Sequence, residues 1–286
     1  MMVPRAVDDL IAKLLAAGYV AEAPLATAMV LAQTVGRAIL LEGEPGVGKS
    51  ESARAFAAAT GATFLRLQCY EGIDVAQAVY DWNYAKQTLA VRGGADRANA
   101  PDLFSEAFLL RRPLLQALDA SAAAPVVLLI DEIDRSDDEF EAFLLEFLQD
   151  FAITIPELGT IRAVQRPTVF LTSNRTRELH DALKRRCLYH FLDTPSAEHE
   201  RRVLRLHLPD AADDLLDSIV RAVERLRALD LRKRPGTAET IDWAKCIAAL
   251  GSAVLDDATF DATAGAVIKH ADDVATVAEH RAELLA

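Results

Sequence analysis

The run Gly43-Glu44-Pro45-Gly46-Val47-Gly48-Lys49-Ser50 matches the pattern G-x-x-x-x-G-K-[ST] at every fixed position. That spacing suits one kind of chemistry, the cradling of a nucleoside triphosphate. Glycines let the backbone approach phosphate oxygens, and the amides of such a loop point inward as an anion nest. Lys49 is placed to reach the β- and γ-phosphates, and the Ser50 hydroxyl to hold Mg²⁺. Glu51 continues the stretch into a helix whose N-terminus adds partial positive charge.

A second group of chemical residues follows Val126-Val127-Leu128-Leu129-Ile130, an apolar run of buried parallel-strand type that ends in Asp131-Glu132. Nucleotide hydrolysis needs a carboxylate in the Mg²⁺ shell at a strand end, which suits Asp131. It also needs a group to polarise the attacking water, and Glu132 is next in line. Asn174, at the end of the strand expected over 168–172, offers a neutral amide for the water or the γ-phosphate, although Ser-Asn also marks turns. Lys184-Arg185-Arg186 offers cations for the transition state, supplied in cis or by a neighbour. The same basic run at a helix end also complements the helix dipole.

Elements that alternate strand and helix must position these groups. Strands are expected at 38–41, 63–69, 126–130, 168–172 and 188–192, and a hairpin over 152–155 and 160–163 around Pro156-Glu157-Leu158-Gly159. Helices are expected at 6–17, from Pro24 to about Val35, at 51–59, and from Val75 to Leu89 behind an Asp74 cap. Two more are expected, one running to Ala120 and one carrying the stripe Phe140, Phe143, Leu144, Phe147 and Leu148. Residues 91–101 read as a loop. Tyr19 and Val20 are either a slot for a base or a packed core pair, and Tyr80, Trp82 and Tyr84 are core or interface aromatics. The alternation implies a parallel α/β core over 1–193. Only helical periods follow, near 197–207, 211–228, 237–250, 260–270 and 271–284, and they make a second, helical domain over 194–286.

Of the 286 residues 51% are apolar, ample for a core, and the formal charge is -12. That acidity argues against general affinity for nucleic acid or anionic membrane. The cysteines, Cys69, Cys187 and Cys246, form no C-x-x-C pair, so reduced thiols and a cytoplasmic setting are expected. No metal site is expected beyond nucleotide-bound Mg²⁺. No apolar run is long enough to span a membrane.

In this order, the P-loop, Asp131-Glu132, Asn174 and the arginine region resemble the AAA+ ATPases. That resemblance implies a three-layer α/β/α core with a parallel sheet and a C-terminal all-helical lid. Leu41-Glu42-Gly43 through Lys49, Leu129-Ile130-Asp131-Glu132-Ile133-Asp134-Arg135, and Ile155-Pro156-Glu157-Leu158-Gly159 ahead of Thr172-Ser173-Asn174 are similar to the MoxR group. Cys69-Tyr70-Glu71-Gly72, Tyr80-Asp81-Trp82-Asn83-Tyr84 and Leu183-Lys184-Arg185-Arg186-Cys187 resemble its CoxD-like subgroup, associated with maturation of a carbon monoxide dehydrogenase.

The resemblance implies ATP as nucleotide and phosphate contacts at Gly46, Gly48, Lys49 and Ser50. It implies Mg²⁺ on Ser50 and Asp131, Glu132 as catalytic base, and Asn174 as the γ-phosphate sensor. It makes Arg186, or adjacent Arg185, the arginine finger. Arg234 stands in for the usual lid arginine, whose own position is not filled by arginine, with Glu239 nearby. A hexameric ring, a von Willebrand factor A-domain partner and a client metalloenzyme are implied too, with the 156–159 hairpin and the 91–101 loop facing pore or partner. The alternatives are a nucleic-acid-stimulated translocase and a nucleotide-gated scaffold.

Overall fold

The computed structural model describes residues 2–93 and 102–285; most of the loop expected over 91–101 therefore lies outside the described residues. The chain opens with helices α1 (Met2–Ala16) and α2 (Ala23–Val35), then strand β1 (Ala38–Gly43), α3 (Lys49–Thr60) and β2 (Thr63–Gln68). Next come α4 (Val75–Val79), β3 (Tyr80–Trp82), α5 (Tyr84–Gly93), β4 (Leu109–Arg111), α6 (Pro113–Ala120) and β5 (Val126–Asp131). They are followed by α7 (Asp138–Asp150), the hairpin β6 (Ala152–Ile155) and β7 (Gly159–Arg162), β8 (Thr168–Ser173), α8 (Asp181–Lys184) and β9 (Cys187–Leu192).

A five-stranded parallel sheet in the order β2-β5-β8-β1-β9 organises these elements. Its centre consists of the most apolar runs: β1 and β5 are buried at every position. Alternate residues face opposite sides. Leu40, Leu128, Ile130 and Leu171 join Leu114 and Leu118 of α6 in one cluster. Phe170 turns the other way and meets Phe56 of α3, ring centroids 5.4 Å apart. Helix α7 begins where Asp137 accepts the Phe140 amide at 2.8 Å, and it buries Phe140, Leu144, Phe147 and Leu148. Phe143 of the expected stripe is only partly buried.

The expected helix from Val75 to Leu89 is interrupted. Asp74 and Gln77 form a capping box, but after one turn the chain extends at Tyr80 (φ -158°). There β3 pairs antiparallel with β4, Trp82 opposite Leu109. The stretch expected to be helical up to Ala120 likewise contains β4 and begins its helix only at Pro113. Trp82 is buried, whereas Tyr84 is exposed.

The rest of the chain is helical: α9 (Ala197–His207), α10 (Asp213–Ala228), α11 (Thr237–Ala249), α12 (Asp257–Thr263), α13 (Ala271–Glu279) and α14 (Arg281–Leu285). Helix α10 contributes the stripe Leu215, Leu216, Ile219, Val220, Val223 and Leu226. Trp243 is fully buried against it, its indole N–H donating to Thr263 Oγ1 at 2.8 Å.

The chain divides into two compact units. One holds residues 1–17, 22–42 and 52–190; the other holds 18–21, 43–51 and 191–286. The phosphate-loop residues thus share a unit with the C-terminal helices.

Candidate nucleotide site

In the helical unit, the stretch from Gly43 to Ser50 joins the end of β1 to the first turn of α3. Gly46 adopts φ 83° and Gly48 φ 94°, conformations that L side chains rarely adopt. Lys49 is buried, and its Nζ donates to the carbonyls of Gly43 (2.6 Å) and Glu44 (2.8 Å). Tyr19 lies against the loop, its Cε2 3.5 Å from where a Cβ of Gly48 would stand.

The N-terminus of α11 meets the loop from another side. Ala238 N–H donates to the Gly46 carbonyl at 3.2 Å. A Cβ on Gly236 would stand 2.9 Å from the Pro45 carbonyl oxygen, so only glycine permits this approach. Glu239 Oε2 lies 3.0 Å from the Cβ position of Gly46. Its two oxygens are held by the Gly236 amide (3.1 Å) and by Lys233 Nζ (3.2 Å). Burial pushes its pKa up, but hydrogen bonds from backbone amides and from Lys233 outweigh that, so the carboxyl sits below its usual range. Glu239 is thus a charged side chain beside the loop, with Lys233 on its far oxygen; Arg234 is exposed on the preceding segment. That segment is anchored from behind. The guanidinium of Arg227 donates twice to the fully buried Glu200, both at 2.7 Å, and once to the Pro235 carbonyl at 2.8 Å.

In the sheet unit, Asp131 is 2% exposed at the carboxyl end of β5. The Thr172 hydroxyl on β8 donates to its Oδ1 at 2.5 Å, and Arg66 Nε on β2 to its Oδ2 at 2.9 Å. Glu132 follows in the left-handed region (φ 56°), which turns the chain off the strand. Its N–H donates to Thr172 Oγ1 at 2.9 Å, so this one hydroxyl bridges both members of the acidic pair. The Glu132 carboxylate accepts from Asn174 Nδ2 (3.4 Å) and Gln68 Nε2 (3.1 Å), and pairs with Arg135 (3.1 Å). Asp134 is buried and receives the amides of Asn174 (3.2 Å) and Thr176 (2.9 Å), which fixes the turn after β8.

The structure thus brings together Asp131, Glu132 and Asn174, as the sequence suggests. Arg66, Gln68, Thr172 and Asp134 complete the group; Thr172 and Asp134 fall within the quoted motif segments with no role read for them, and Arg66 and Gln68 were missed. Arg66 and Gln68 are alternate residues of an edge strand in register with β5, where Gln68 pairs with Asp131; only that pairing reveals them. The negative potential here is concentrated: burial pushes the Cys69 thiol up to about 12, and Asp131, Asp134 and Glu132 reinforce it.

Among the described residues no three His, Cys, Asp or Glu side chains gather as a metal cage. Mg²⁺ needs no such cage when phosphates supply its other ligands. Asp131 fits that mode, since it is buried and already takes a cationic partner in Arg66.

Arg185 and Arg186 lie at the other edge of the sheet, between α8 and the start of β9. Both are exposed. Arg186 Nη2 donates to Gln149 Oε1 at 3.0 Å, and the Arg185 carbonyl accepts from Arg37 Nη1 at 3.3 Å.

Comparison with known proteins agrees with this architecture. The AAA domain (dynein-related subfamily) matches residues 38–187. No curated protein sequence matches the chain. The fold is similar to the RuvB Holliday junction branch migration motor of Thermotoga maritima, with 16% identity and TM-score 0.50, covering 84% of this chain and 66% of that one. A lysine-to-arginine mutant of the same RuvB gives 18% identity and TM-score 0.50, covering 83% of this chain and 66% of the mutant. The chain thus spans just under two-thirds of RuvB, and at this identity the likeness is one of fold.

No helix among the described residues is long and apolar enough to cross a membrane.

Proposed function

Because the chain belongs to the AAA domain family of the dynein-related subfamily, we propose that it is an ATPase of the MoxR type, active as a ring. The observation that supports hydrolysis rather than binding alone is the setting of Glu132. Its carboxylate directly follows the buried Asp131 and is held by Asn174 and Gln68. A nucleotide-gated scaffold needs no such base.

In this reading Lys49 exchanges the Gly43 and Glu44 carbonyls for the β- and γ-phosphates of ATP, while amides of residues 43–51 line the phosphates. Ser50 and Asp131 would hold Mg²⁺, which when bound neutralises charge developing on the phosphates. Glu132 accepts the proton of the attacking water, and Asn174 orients water and base. Arg234, two residues before Gly236, is the proposed lid arginine.

The arginine finger is Arg186 or Arg185 of a neighbouring copy. Both sit at the amino edge of the sheet, whereas Asp131 and Glu132 sit at its carboxyl edge. A strand of six residues spans about 20 Å, too far for one copy to present both to the same phosphate. A hexamer closes such a ring.

We assign the released energy to remodelling a client, with metal-centre maturation as the working case and a von Willebrand factor A-domain protein as partner. The support is sequence resemblance, together with a hairpin, β6–β7, that carries the exposed Pro156 and Glu157. Phosphate release from ATP by the wild-type chain and by Glu132→Gln, with ATP binding measured in parallel, tests the reading. Equal turnover by the two would remove Glu132 from the mechanism.

A further inference from the structure

An open cleft of about 510 Å³ lies at the amino edge of the sheet. Four arginines from three parts of the sheet unit line it: Arg37 ahead of β1, Arg166 ahead of β8, and Arg185 and Arg186 ahead of β9. Gln149 at the end of α7 lines it too. Among the described residues none of the four guanidiniums has a carboxylate partner. Arg37 donates to the Arg185 carbonyl, Arg186 donates to Gln149, and Arg166 lies over the Phe151 ring at 5.6 Å. Four like charges converge in a chain of formal charge -12. Such self-repulsion is relieved by a multivalent anion, and guanidinium forks match phosphate oxygens. The volume falls in the usual range for ligand sites.

We propose that this cleft is one phosphate-receiving site, in which Arg166 joins Arg185 and Arg186 in contacting the triphosphate held by a neighbouring copy, while Arg37 positions the finger turn through the Arg185 carbonyl. The inference rests on the trans reading above and deepens it. The neighbour's nucleotide meets a cluster of guanidiniums, two of which the finger motif does not contain. A phosphate on this copy's own acidic pair is excluded, because the cleft and that pair lie at opposite edges of the same sheet.

The test uses full-length chains. Arg166→Ala and Arg37→Ala should bind ATP as the wild type does, yet lose about a hundredfold in turnover under assembling conditions. Arg166→Lys should recover part of the loss. Mixing either alanine variant with Glu132→Gln should restore turnover, because the Glu132→Gln copy supplies an intact cleft to a neighbour whose Glu132 is intact. That rescue also shows the variant to be folded. If Arg166→Ala and Arg37→Ala turn over normally while Arg186→Ala fails and is rescued, the four-arginine site is wrong and the trans finger stands. If none of the three is rescued, the trans reading itself fails. If inorganic tripolyphosphate binds dilute wild-type chain at a site that Arg166→Ala removes, and mixtures show no rescue, the phosphate comes from solution and the proposal is overturned.

Discussion

The Asn174 side-chain amide donates to Glu132 Oε1 at 3.4 Å, across 42 positions of sequence. The contact exists because β5 and β8 are parallel neighbours whose carboxyl ends fall together, Ile130 opposite Leu171. On it rests the assignment of a water-activating pair. Asn174→Ala should therefore lower kcat by about 10²-fold or more, with the ATP dissociation constant unchanged within about twofold. Steady-state phosphate release beside equilibrium binding checks this. A weakened affinity at normal kcat would make Asn174 a binding residue only.

Thr172 is the hinge of the acidic pair, donating to Asp131 and accepting from the Glu132 amide. Thr172→Val keeps the shape and leaves both groups without that partner. It should destabilise the fold by about 1–3 kcal/mol, read by chemical denaturation, and lower turnover as well.

Arg66 competes with any cation for Asp131 Oδ2. Arg66→Ala should reduce the Mg²⁺ concentration needed for half-maximal ATP binding. A Mg²⁺ titration followed by nucleotide fluorescence measures it; an unchanged midpoint would show that the guanidinium yields at no cost.

Glu239 lies beside Gly46 with its carboxyl held below the usual range. A depressed folded-state value means stability that is present above the unfolded-state value, about 4.3, and lost as pH falls through the folded one. The thermal stability gap between wild type and Glu239→Gln should therefore close as pH drops below about 4. At neutral pH the variant should bind ATP more tightly, because a negative charge has left the loop. A gap independent of pH would contradict the first expectation.

Arg227 and the buried Glu200 tie α10 to α9 and to the Pro235 turn. Arg227→Met leaves Glu200 buried without its cation and should cost about 3–5 kcal/mol in unfolding experiments.

Much of this was legible in the sequence, and for identifiable reasons. Gly43 to Ser50 is a local pattern, and Val126 to Glu132 couples an apolar run to its terminus. Amphipathic helices such as α10 announce their own period. Tyr80 to Trp82 was misread because a three-residue strand has too few positions for a period, and its partner Leu109 to Arg111 lies beyond an intervening helix. Arg66 and Gln68 escaped notice, and Thr172 was given no role, because strand order, not spacing, brings them to Asp131 and Glu132. The clustering of Arg37 and Arg166 with Arg185 and Arg186 follows from three strands starting at one edge.

The central claim is that hydrolysis needs Glu132 from one copy and an arginine from another. The most direct measurement is the ATPase rate of Glu132→Gln and Arg186→Ala chains, each alone and mixed in equal amounts. The account predicts that each alone is inactive and that the mixture regains a substantial share of wild-type turnover. A mixture as inactive as its components, with both variants still binding ATP and assembling, would contradict it.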